Sequence, residues 1–203
     1  MKTIILFRNT FFCLIFTIFF GSCRNNNLEE EVFNVTYEKF HGKYKIVRCT
    51  SDKAVDINLD GLESNEIEKE IPDLSNSYLT LLILKKTLPI SDGSHIFEMG
   101  WQEQIFINGI QPEEYKPDRN NSINYANQGS VCSCTFSSDF KKINVTKSSL
   151  YYDNKDYRWV LPESAIVRND GLIEVIFSKR FYTSKGVQTV KITTLYKRFT
   201  KTT

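Results

Sequence analysis

The chain has little of what catalysis near neutral pH draws on. It contains two histidines, His41 and His95, and neither belongs to an H-E-x-x-H pair. No G-x-S-x-G elbow, P-loop or G-x-G-x-x-G motif occurs. Carboxylate pairs do exist, at Glu113-Glu114 and at Asp153 with Asp156, but they sit in turn-like segments beside Pro112 and Asn154, where loop charge is the ordinary explanation. A non-enzyme is the favoured class. Five prolines and nine glycines in 203 residues exclude a collagenous or low-complexity chain. Long hydrophobic runs are also scarce: the main one, Phe11 to Phe20, spans roughly 15 Å as a helix, against about 30 Å for a bilayer core. Finally, charge of one sign is missing. Only Lys2 and Arg8 precede Cys23, and setting them aside leaves 24 basic against 24 acidic residues, dispersed rather than striped. That balance argues against a nucleic-acid partner.

Two cations ahead of a short apolar run form the layout of an export signal. The run ends at Phe20-Gly21-Ser22-Cys23, small residues before a cysteine, which resembles the lipobox of bacterial lipoproteins. The resemblance implies cleavage before Cys23, acylation of its thiol and a membrane partner reached through the acyl chains. It divides the chain into a signal peptide (1–22), a lipidated cysteine with a flexible tether (23–40) and a domain (41–203). Inner-membrane lipoproteins of Gram-negative bacteria often carry aspartate after the cysteine, and Arg24 in that place implies the outer membrane. Residues Arg24 to Glu31 read as a polar tether. Its acids Glu29, Glu30 and Glu31 resemble the signals of surface-exposed lipoproteins, so the surface-exposed and periplasm-facing alternatives both stand.

From Val35 onward, short alternating runs separated by turn residues predict an all-β domain. Strands are expected at 42–49, 78–85, 95–101, 104–108, 122–127, 131–136, 142–146, 157–161, 164–168, 172–182 and 187–199. The turns with the strongest chemistry are Asn169-Asp170-Gly171 and Ser184-Lys185-Gly186. Ile173, Val175, Phe177 and Phe181 share one strand face, and Glu174, Ser178 and Arg180 the other. One short helix is expected over Ser64 to Ile71, capped by Ser64, with Ile67 and Ile71 on one side.

So many short strands must close into a barrel or split into packed sheets, and sequential hairpins favour an antiparallel up-and-down barrel. The succession of a G-K-Y-K-I-V strand from Gly42, a D-I-N-L-D-G loop from Asp56, a short helix and a closing I-T-T-L-Y-K-R strand resembles lipocalin-like lipoproteins. The Gly-x-Trp of lipocalins proper is Gly42-Lys43-Tyr44 in this chain. The resemblance implies a barrel that takes a small apolar or amphipathic ligand, and Tyr44, Trp101, Trp159 and Phe177 are the candidate lining residues. A filled barrel docking an envelope protein or glycan is the alternative. The same aromatics then form the core.

Asp56-Ile57-Asn58-Leu59-Asp60-Gly61 places oxygen donors at alternate positions before a glycine, a pattern suited to calcium. Asp56, Asn58, Asp60 and Glu66 are the candidate ligands, although the twelfth loop position, where an EF-hand has glutamate, is Ile67. The alternative is an Asx-rich turn with Ile57 and Leu59 packing inward. No other cofactor is implied. Cys49, Cys132 and Cys134 remain beyond Cys13 and Cys23, either as buried apolar groups or with one disulfide among them.

Overall fold

The computed structural model describes residues 28–85, 95–106, 112–116, 123–147 and 160–203. Residues 1–22, expected to be a signal peptide, Cys23, the Asp153 and Asp156 pair and Trp159 lie outside them. Two compact units are present, 1–40 and 41–203.

In the first unit, residues 28–40 form a helix, α1, within the stretch read from sequence as tether. Glu29, Glu30 and Glu31 lie within this helix. The rings of Phe33 and Tyr37, one turn apart, are 5.7 Å from each other.

The second unit is a nearly closed antiparallel barrel. Its strands are β1 (Gly42–Val55), β2 (Ser64–Glu66), β3 (Tyr78–Leu82), β4 (His95–Phe106), β5 (Ile123–Phe136), β6 (Ile143–Lys147), β7 (Ser164–Val167), β8 (Ile173–Thr183) and β9 (Gly186–Thr200). Their order is β6-β5-β4-β3-β1-β9-β8-β7, with β2 added to β1. The ends meet through a bridge between Lys142 and Ile166 and the Val167 amide donating to the Lys141 carbonyl at 2.9 Å. Closure removes edges that would otherwise template aggregation.

The fold class and most strand positions agree with the expectation from sequence, and four corrections have physical causes. Segments 95–101 and 104–108 belong to one strand, β4, as do 122–127 and 131–136 to β5, because β4 and β5 pair in unbroken register from His95 to Phe106. Gly129, which falls between the two expected segments of β5, is opposed to Gly100 across that ladder. The Tyr78 ring covers Gly100 so closely that an added Cβ would lie 2.3 Å from it. Ser64 does not cap a helix: it lies in β2, and only Ile67–Glu70 are helical (α2), with no side-chain cap. Leu59 is exposed, whereas Ile57, Ile67 and Ile71 are buried. Residues 160–161 are not strand.

Both expected hairpins form. Gly171 and Gly186 take φ of 79° and 86°, the left-handed region their turns require. Burial then alternates perfectly along β8, and the inward face includes a residue the hydrophobic pattern passes over, Lys179. Its ammonium pairs with the Glu103 carboxylate of β4, with both side chains at least 96 % buried. One step along the same two strands, Trp101 meets Phe177 edge-on at 5.1 Å. Thus β4 and β8 face each other across the interior as two matched layers, one aromatic and one ionic.

Removing one member of a buried pair strands the other charge. Lys179→Met is expected to lower unfolding free energy by about 3–5 kcal/mol in urea titrations, and the double variant Lys179→Met/Glu103→Leu to recover most of that loss. Equal losses in the single and double variants would show that the pair itself is not the cause.

Candidate functional site

Three groups of residues carry chemistry in this domain: the interior, the acidic loop after β1 and the two histidines. Tyr44, Trp101 and Phe177 from the expected ligand-lining set are all inward and at most 2 % exposed, packed with Phe97, Phe181 and Tyr196. Trp159 lies outside the described residues. Burial pushes the Tyr44 phenol up to about 12, opposed by the Arg198 guanidinium beside it. Within this interior, Trp101 Nε1 and Tyr196 Oη have no hydrogen-bond partner among the described residues. Such orphaned groups are uncommon in a packed core.

The acidic loop folds around its own backbone. Asp56, 2 % exposed, accepts the Asp60 amide on Oδ1 and the Gly61 amide on Oδ2, both at 3.1 Å. Asn58 Oδ1 accepts the Asp60 amide at 3.0 Å, and Asp60 Oδ1 the Leu62 amide at 2.8 Å. These are Asx turns. Glu66, the fourth candidate calcium ligand, pairs instead with Lys69 at 2.7 Å. The carboxylate that joins the loop is Glu70, which sequence reasoning passed over: its Oε2 accepts the Ile57 amide at 2.9 Å. Burial raises the Glu70 carboxyl above its ordinary range; the Ile57 and Asn58 amides oppose this, and Asp56 and Asp60 add to it. Among the described residues no group of three or more His, Cys, Asp or Glu side chains is arranged to hold a metal ion.

Beside this loop runs a groove of about 390 Å³. It exists because β1 changes partner: Gly42 to Lys45 pair with β3, and Thr50 onward with β2. In the intervening stretch Glu68 Oε1 accepts the Cys49 amide in place of a strand. Ile46, Val47, Ile71 and Leu74 supply apolar walls, and Asn58, Asp73 and Ser75 polar ones. No motif announces this groove in the sequence, since its walls come from β1, the helix and the turn after it.

Glu113 is not gathered into a described cleft with a second acid: it is exposed and pairs with Arg180 at 2.5 Å. Neither histidine joins a described metal or catalytic group. The Ile83 amide donates to His41 Nδ1 at 3.1 Å, and the next amide, Leu84, donates to His95 Nδ1 at 3.2 Å. The two histidines of the chain therefore clamp consecutive residues at the end of β3. Cys49, Cys132 and Cys134 are free thiols, all buried. Burial raises them to about 12, about 11 and about 12, with Thr194 partly opposing the rise at Cys49. These are apolar filling rather than nucleophiles.

Searches of family models, of curated proteins and of solved structures returned no match to this chain.

An imidazole accepts an amide N–H only while unprotonated. His41 and His95 are both held below the usual value by burial, with Arg198 adding to the effect at His41; no charged group opposes it at His95, whose cross-strand partner is the buried Cys134. The unfolded chain therefore protonates first. Their contribution to stability is expected to be complete above about pH 6.5 and to shrink as pH falls below it. Urea midpoints between pH 7.5 and 5 measure this, and the slope is expected to flatten in His41→Asn/His95→Asn, whose amide oxygens accept at every pH. At pH 8, a disulfide reagent is expected to leave Cys49, Cys132 and Cys134 unmodified in the folded protein and to label all three in guanidinium.

Proposed function

We propose that this chain is a non-catalytic lipoprotein anchored to the outer membrane through Cys23, whose filled barrel is an interaction module docking an envelope protein or glycan. One observation carries the reading. The interior is occupied by Tyr44, Phe97, Trp101, Phe177, Phe181 and Tyr196 and by the Glu103–Lys179 pair, whereas the 390 Å³ groove lies on the outside, between β1 and α2. A ligand would have to displace packed aromatics or separate a buried ion pair to enter the barrel. The groove combines apolar walls with amide, carboxylate and hydroxyl groups, a mixture that suits an extended peptide or a sugar chain.

A second reading, a small amphipathic ligand held inside the barrel, draws on the orphaned Trp101 Nε1 and Tyr196 Oη, which a polar ligand group would satisfy. Calcium at Asp56, Asn58 and Asp60 belongs to either reading as an optional stabiliser of the loop. Calorimetric titration with millimolar calcium tests it, and absence of heat removes it.

Titration with a dansylated fatty acid separates the two main readings. The filled module is expected to give no saturable change in tryptophan emission, since Trp101 is fully buried. Saturable quenching that disappears in Lys179→Met would overturn it in favour of the interior ligand. The anchor is tested independently: Cys23→Ala is expected to abolish incorporation of labelled palmitate while the chain retains its β-rich circular dichroism.

A further inference from the structure

The β1–β9 ladder carries two bulges, and each leaves one apolar side chain in solvent. Tyr44 pairs with Arg198 and Lys43 with Thr200, so Phe199 is the extra residue of β9. Ile46 pairs with Tyr196 and Arg48 with Leu195, so Val47 is the extra residue of β1. Phe199 is 57 % exposed and Val47 46 %. Bulges re-aim side chains, and both of these aim an apolar group outward from an otherwise alternating ladder.

Between the bulges, Lys45 and Lys197 are directly opposed across the strands, an arrangement that like charges disfavour unless an anion answers them. Lys43 follows two residues from Lys45 on the same exposed side of β1. Among the described residues none of these three lysines belongs to an ion pair. Along the ladder, Phe199, the lysine row and Val47 follow one another within roughly 10 Å, at about 3.3 Å per residue. The result is a cationic face bracketed by two protruding apolar groups. It stands out on a chain whose acids and bases otherwise balance.

We propose that the outer face of β1 and β9 is a docking surface for an anionic lipid bilayer, with Phe199 entering the headgroup boundary and Lys43, Lys45 and Lys197 contacting lipid phosphates. Charge complementarity selects an anionic partner, and the exposed aromatic beside the lysines selects a surface with an apolar layer beneath its charges. The proposal rests on the Cys23 anchor only in that the anchor keeps a bilayer within reach.

The test places an environment-sensitive fluorophore on Phe199→Cys in the full chain carrying Cys13→Ser, Cys49, Cys132 and Cys134 being buried and Cys23 being either acylated or, in the unacylated form, replaced as Cys23→Ala. Emission is read on vesicles of phosphatidylcholine alone and of phosphatidylcholine with about 30 % phosphatidylglycerol. A blue shift is expected on the anionic vesicles, lost at high salt. In the triple variant Lys43→Glu/Lys45→Glu/Lys197→Glu the lipid concentration needed is expected to rise at least about a hundred-fold, each lysine contributing roughly five-fold. The salt series needs no charge variant, so it stands even where the triple variant fails to fold. Flotation with the vesicles reports the anchor separately. A chain that floats without a blue shift overturns the docking face and leaves the anchor; a chain that shifts without acylation overturns the anchor and leaves the face. No shift in any form of the chain at excess anionic lipid overturns the face as well. A shift produced by soluble polyglutamate and not by anionic vesicles assigns the surface to an acidic protein and overturns the lipid assignment.

Discussion

The domain depends on β4 and β8 facing each other across the barrel interior. Four strand steps separate them in the sheet, so they run in the same direction, and residues two apart on one meet residues two apart on the other: Trp101 with Phe177, then Glu103 with Lys179. Every other inward group is fitted around those layers. A salt bridge so deeply buried gives little net stability compared with apolar residues of the same size, because desolvating two charges offsets most of their attraction. What it supplies is discrimination. A shift of β8 by one residue would turn Lys179 outward and leave Glu103 in the core without its cation, so wrong registers are far costlier than in an all-apolar interior.

Around this core the sheet departs from regularity only where something is exposed. The change of partner along β1 makes the groove, and the two bulges between β1 and β9 bring Phe199 and Val47 to the surface. The acidic loop and the histidine clamp perform a different task, replacing strand partners for backbone amides at places where the ladder runs out. Asp56, Glu70, Glu68, His41 and His95 all accept main-chain N–H groups. Accepting main-chain N–H groups is the usual use of a buried polar side chain.

Much of the architecture was legible along the chain. Alternation in β8 and β9 and the glycines at 171 and 186 specify two hairpins locally, and Ile67 in the short helix and Ile71 just after it are buried as expected. The helix at 28–40 was not legible, because three consecutive glutamates resemble a solvated linker. Nor was the unity of β4: Gln102 and Glu103 read as a gap between two strands until the unbroken ladder with β5 is seen. Lys179 was visible in principle. Its period-2 position places it inward with Phe177 and Phe181, and only the habit of assigning charge to the surface hides it.

By itself, then, the sequence determined the all-β class, the two hairpin turns at 169–171 and 184–186 and the apolar side of β8 and β9, since these follow from neighbours a few residues apart. Tertiary structure alone decided which carboxylate meets Lys179, which acid completes the Asp56 loop and which apolar residues are expelled at bulges. Glu103 and Lys179 are 76 residues apart, and their meeting depends on strand order, register and near-closure of the sheet. Those are properties of the whole barrel, fixed by the simultaneous packing of its inward faces, and no local stretch of chain contains them.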